Sequence, residues 1–250
     1  MNKQWTIMIL LSIILVGLIV SLGMVYVLND EKNIVDNANV VSQERTLEGF
    51  DAIALDGIGD VKVHPGEEFK VVVTADSKIQ EKIITKVEGN TLHINEDENF
   101  KTSDAAKLKN LTIDVYMPEL KNVSLNGGGN IDILEGNGSE LEISISGIGN
   151  VDAKKYKVVN ANVKLSGTGD ISVWATQTLN GEISGTGNID ALKGSVETAN
   201  VILSGTGDIS VWVSQTLKGE LSGIGSILYK GNPYIKDIHV NGVGSVERYD

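Results

Sequence analysis

The chain has 250 residues, 41% of them apolar, a formal net charge of -12 and no cysteine. That length and apolar content support one domain with a substantial core, and the missing thiols exclude a disulfide framework and a lipid-modified N-terminal cysteine. The acidity argues against nucleic acid as a partner, because phosphate binding rests on Lys and Arg and only Arg45 and Arg248 carry guanidinium groups.

Residues 1–28 read as a membrane anchor. Ile7 to Leu28 is an uncharged, proline-free run of 22 residues, roughly 33 Å long as a helix and enough to cross a bilayer. Ser21 and Gly23 offer a small-residue site for signal-peptide cleavage, but the apolar run continues past them without a break. Lys3 precedes the span and Asp30 and Glu31 follow it. The positive-inside bias therefore predicts a single-pass protein of the cell membrane with its domain on the extracytoplasmic side. Residues 29–43 are polar and read as a tether, which leaves residues 44–250 for the domain.

From 44 to 125 the strand signals are irregular: FDAIALD, DVKV, FKVVVT, NTLHIN, LTIDVYM and NVSL, separated by turns such as Pro65-Gly66 and Gly89-Asn90. Lys78 to Val87 fits a short helix or a strand, and charged Asn95 to Asn110 reads as a surface loop.

From 126 to 250 a glycine motif recurs: NGGGNIDI, SGIGNVDA, SGTGDISV, SGTGNIDA, SGTGDISV, SGIGSILY and NGVGSVER, with an outlying copy, DGIGDVKV, at Asp56. The first glycines fall at 127, 147, 167, 185, 205, 223 and 242, a period of 18 to 20 residues. That period is too short for a helical pair and too long for a heptad, and it predicts an all-β solenoid, or β-helix, with one turn per repeat. Gly-x-Gly is the corner, where positive φ carries no Cβ penalty. Alternation after it sends Ile171 and Val173 inward. Ser166 to Gly187 matches Ser204 to Gly225 at 17 of 22 positions, the mark of a duplicated two-turn block.

The succession EGFDAIALDGIGDVKVHPGEEFKVVV, VEGNTLHIN and LTIDVYMPELKNVSLNGGGNIDI, followed by SGxGN/D repeats, resembles the head GIN domain family of autotransporter adhesins over roughly Glu48 to Asp250. Its eponymous motif stands here as Gly129-Asn130-Ile131, Gly149-Asn150-Val151, Gly169-Asp170-Ile171, Gly187-Asn188-Ile189 and Gly207-Asp208-Ile209, and drifts at Gly225-Ser226-Ile227 and Gly244-Ser245-Val246. The resemblance implies a β-helix-like domain of a bacterial envelope protein and carries over no catalytic residues.

Stacking in register would turn each motif position into a column. The ninth position places Trp174, Leu192 and Trp212 in one apolar stripe, with the indoles about 10 Å apart. The stripe is either a sugar-stacking platform or a set of aromatics covering a corner of the fold. The fifth position, running Asp60, Asn130, Asn150, Asp170, Asn188, Asp208, Ser226 and Ser245, predicts a ladder of short polar side chains bonding to neighbouring backbone. Asp132, Asp152 and Asp190 raise calcium, but the glycine-rich calcium repeat recurs every nine residues and this one does not. His64, His93 and His239 are scattered with no nucleophile motif beside them.

These observations predict a non-catalytic, cofactor-free module that presents a rigid surface to envelope polysaccharide or protein. Two alternatives carry less: an interaction or sensor subunit of an envelope stress or transport system, and a polysaccharide-degrading enzyme built on a pair of carboxylates.

Overall fold

A computed structural model describes residues 39–66 and 68–249, which form a β-solenoid of about six turns. The expected anchor, Ile7 to Leu28, lies outside the described residues. Among those described, no helix is long and apolar enough to cross a membrane.

The register defines the turn. Between β11 (Ile148–Leu165) and β12 (Ile171–Ile183), Val151–Ala153 pair with Ile171–Val173, Lys157–Val158 with Trp174–Ala175, and Asn160–Leu165 with Thr178–Ile183. A turn therefore has two long ladder stretches and a short one between them, and β13 (Ile189–Leu203) and β14 (Ile209–Leu221) repeat the arrangement. Within β12, Ile171, Val173, Ala175, Leu179 and Ile183 alternate into the core and are fully buried. A single turn has nothing to bury these residues against, so stability comes from nearest-neighbour stacking.

The Gly-x-Gly corners have two causes, of which the sequence shows one. The second glycine of each motif, from Gly59 to Gly244, has φ between 137° and 159°, a region that L side chains avoid. Both glycines also face the neighbouring turn. A Cβ on Gly147 or Gly149 would collide with the carbonyl oxygen of Gly127 or Gly129.

Turn length alternates for an equally local reason. The ladder residues Val151, Ile171, Ile189, Ile209 and Ile227 are 20, 18, 20 and 18 residues apart. Each long turn carries a three-residue bulge after its first stretch, Lys154–Tyr156 in β11 and Leu192–Gly194 in β13, and each short turn recovers one residue further on. Tyr156 anchors the first bulge: it is buried against Gly136 and Gly138 and its hydroxyl donates to the Leu120 carbonyl at 3.3 Å. Burial raises its pKa.

The outlying glycine motif proves to be a full member of the stack. β3 (Ile58–Pro65) pairs with β9 (Gly128–Ile133), so that Asp60 stands beside Asn130 across 70 residues of sequence. β2 (Ala52–Leu55) likewise pairs with β8 (Asn122–Leu125) on one side and β6 (Thr91–Glu96) on the other.

The intervening chain closes this end of the solenoid. β4 (Lys70–Asp76) lies antiparallel on β7 (Thr112–Met117), and β5 (Ile83–Glu88) antiparallel on β6. β1 (Val40–Arg45) completes the closure antiparallel on β4. This corrects the expected tether at its last residues: Val40–Gln43 form an edge strand. Their polar composition conceals it, because the strand is held by its ladder, by the Ser42 and Thr74 hydroxyls 2.8 Å apart, and by Arg45, which donates to the carbonyls of Ile83 and Gln80.

Lys78 to Val87 divides into a 3-10 turn at Gln80–Lys82 and strand β5. The expected surface loop holds the end of β6 and a 3-10 helix at Thr102–Asn110. Asp104 fastens that helix: bonds from Lys82 and Lys107 and from the Lys101 backbone N–H hold its carboxyl well below the usual carboxylate range.

The other end is open. β16 (Ile235–Val240) and β17 (Val243–Arg248) pair only inward, with β14 and with β15 (Ile224–Lys230) respectively. Val240 is 45% exposed where its ladder partner Leu221 is 0%.

Candidate functional site

At the glycine corner the predicted ladder forms as a chain of bonds. The Asp60 carboxylate accepts from the Asn130 backbone N–H and side-chain amide at 3.1 and 2.9 Å, and Asn130 Oδ1 accepts from the Asn150 amide at 3.0 Å. Asn150 Oδ1 then takes the Asp170 backbone N–H, and Asp170 takes both donors of Asn188. Asn188 takes the Asp208 N–H, and Asp208 takes that of Ser226. No two carboxylates are successive in the column, as valence requires: a carboxylate only accepts, so it needs an N–H donor on the next turn. This edge satisfies itself.

After the first ladder stretch of the turn comes the indole edge. Trp174 and Trp212 are both half-buried and stand two turns apart, roughly 10 Å. The apolar stripe expected between them is not what the register gives. Trp212 pairs with Ser195 on one side and Lys230 on the other, and Trp174 pairs with Lys157. Leu192 is carried out of register by its bulge, which explains why equal spacing in sequence misplaces it.

Lysines flank both indoles: Lys193 stands in a bulge, whereas Lys157 and Lys230 are the ladder partners of Trp174 and Trp212. Lys157 Nζ lies 5.7 Å and Lys193 Nζ 5.3 Å from the Trp174 ring centroid, supplied by the turns on either side of it, and Lys230 Nζ lies 4.7 Å from that of Trp212. These are cation–π distances. A glycine after Lys193 and after Lys230 makes room for the ring: a Cβ on Gly194 or Gly231 would meet Trp174 Cδ1 or Trp212 Cδ1. A groove of about 350 Å³ beside Trp174 is lined by Glu135, Lys154, Lys155, Lys157 and Lys193 among others. Counting along the motif places Lys230 beside Trp212, as the register does, but misses Lys157 and Lys193, although Leu192-Lys193-Gly194, one turn after Trp174, carries the signal.

The remaining candidates find local structural partners. Asp152 and Asp190 accept from the backbone N–H groups of Lys154 and Leu192 at 2.9 and 3.0 Å, initiating the two bulges. Asp132 is the ladder partner of Asp152. His64 bonds Asp114 at 2.7 Å while stacked on Tyr116, and His93 bonds Asp56 at 2.7 Å. The first pair bridges adjacent strands, and the second joins β6 to the corner after β2. His239 lies 3.8 Å from Asp237 in the exposed last turn. A further amide ladder, Asn200 to Asn180 to Asn162 at 2.9 and 2.7 Å, runs along the second long stretch. Spacing hid it, because those asparagines lie outside the glycine motif.

The family model described as "Putative auto-transporter adhesin, head GIN domain" matches residues 49–233. The chain belongs to this family. Among solved structures, it is similar to a "putative adhesin" from Bacteroides fragilis, with 24% identity and a TM-score of 0.77 over 84% of this chain and 97% of that one. A "Putative lipid binding protein" from Parabacteroides distasonis follows at 22% identity and 0.64, over 84% and 98%. A "putative adhesin" from the same species aligns at 19% and 0.62, over 85% and 98%. At these identities the likeness establishes the head GIN fold. No curated protein matches the chain.

Proposed function

We propose that this head GIN domain is a non-catalytic, adhesin-like binding module, held outside the cell membrane by residues 7–28, that meets envelope polysaccharide or protein through the edge bearing Trp174 and Trp212. Family membership and two adhesin-named relatives support the class of activity. The observation that carries the choice of edge is the contrast in satisfaction. The glycine corner is bonded to itself from Asp60 to Ser226, whereas the indole edge repeats two half-exposed aromatics, each with exposed ammonium groups. Amphipathic aromatics at a partly exposed position are what recognition surfaces use. Leu192, half-buried like the indoles but carried out of register by its bulge, is left out of the proposed contact.

The test is retention of the full chain on purified cell-wall material. The Trp174→Ala/Trp212→Ala variant should keep its β circular dichroism and lose most of its retention. Unchanged retention would remove this edge from the proposal.

A further inference from the structure

We infer that the ligand of the indole edge is a linear polyanion lying along the solenoid axis, with negative charges that recur about every 10 Å. This rests on reading that edge as the binding surface, and it names the chemistry the surface takes. Trp174 receives lysines from both neighbouring turns, so stacking a neutral sugar on its face would have to displace an ammonium. What the edge presents outward is the file of cations. Lys157, Lys193 and Lys230 are exposed, come from alternate turns, and take part in no carboxylate ion pair among the described residues. Each sits against a ring that holds it in place while leaving N–H donors free, since an ammonium has three.

The neighbouring acids sharpen the assignment. Lys154 lies 3.9 Å from Asp190, while Asp152 and Asp190 hold the bulge backbone, so these groups are taken. Glu135 borders the groove beside Trp174 and gives it one negative side. On a chain of net charge -12, a densely charged polymer is repelled by the rest of the surface. A polymer with widely spaced charges meets the three lysines, with exposed Lys155 adding a further ammonium in the groove at the Lys157 end. An acidic polysaccharide with one carboxylate on every second sugar fits this spacing. A phosphate-bearing polyol chain offers the same sign with closer charges.

The experiment is titration calorimetry of the full chain in mild detergent at low salt. The probes are hyaluronan oligosaccharides carrying two or three carboxylates, poly(glycerol phosphate) and neutral dextran. The expected result is that the three-carboxylate oligosaccharide binds more tightly than the two-carboxylate one and more tightly than poly(glycerol phosphate), with dextran silent. Lys157→Gln/Lys193→Gln/Lys230→Gln should weaken it on the order of tenfold, about two- to threefold per exposed ammonium, and added salt should weaken it further. Tighter binding of poly(glycerol phosphate) would overturn the spacing and the carboxylate source. If dextran binds as well as the acidic oligosaccharide, and Trp174→Ala/Trp212→Ala abolishes both while the lysine variant abolishes neither, the polyanion inference fails and the binding edge stands. If no probe binds, the polyanion inference fails, and retention of the indole variant on cell-wall material decides the edge separately.

Discussion

The two edges of each turn follow opposite rules. At the glycine corner neighbouring backbones come so close that Gly147 and Gly149 have no room for a Cβ, and the side chains that remain, Asn150 and Asp170 among them, bond to the next turn. At the indole edge the turns diverge in length, a three-residue bulge opens every second one, and Lys157, Lys193 and Lys230 placed there are exposed. The most repetitive part of the sequence is therefore its most internally satisfied part. Variation between alternate turns, rather than repetition, marks the edge proposed to meet a partner.

Substitutions can break or sharpen this contrast. The largest effect is expected from Gly169→Ala, where φ is 147° and the new Cβ meets the Gly149 carbonyl. Strain plus collision should cost about 3 kcal/mol or more, read as a fall in the urea midpoint. Gly181→Ala is the internal control: its Cβ would lie 3.7 Å from Ile189 Cδ1 and 3.8 Å from Val201 Cγ1, ordinary contact. Its stability should change by less than about 1 kcal/mol. Equal losses for the two would mean that glycine at the corner is compositional rather than geometric.

A smaller loss is expected from Asn188→Ala, which removes the amide donated to Asp170 and the oxygen that takes the Asp208 N–H. The site is exposed and water can replace part of both bonds, so about 1 kcal/mol is expected, seen as a modest drop in Tm with no effect on ligand retention. Least damaging to stability among the indole-edge changes should be Lys157→Gln, within about 0.5 kcal/mol, although it should weaken polyanion binding about two- to threefold by calorimetry. A lysine variant that destabilises as much as Asn188→Ala would make the indole edge structural.

Much of the fold was legible because the solenoid writes its period into the chain. The glycine spacing predicts the turn, the alternation at Ile171 and Val173 predicts the core, and the Asn/Asp column predicts the corner ladder. What resisted reading has physical causes. Asp60 beside Asn130 depends on an insertion of the chain between them, which no local pattern reports. The Val40–Arg45 strand is polar because it is an edge, and only its partner β4 identifies it. At the indole edge the two tryptophans and Lys230 beside Trp212 were legible, and the other neighbours were not. Counting from the glycines puts Lys154 and Leu192 beside them, but each bulge shifts the ladder and brings Lys157, Lys193 and Ser195 there instead.

The most direct test of the central claim is differential quenching of a Trp5→Phe full chain, whose only indoles are then Trp174 and Trp212. If ammonium groups from adjacent turns make this edge locally positive on an acidic protein, iodide should quench at low salt more strongly than caesium, and the gap should close as salt screens the field. Equal quenching, or stronger quenching by caesium, would contradict the account by showing indoles that lie outside any cationic file.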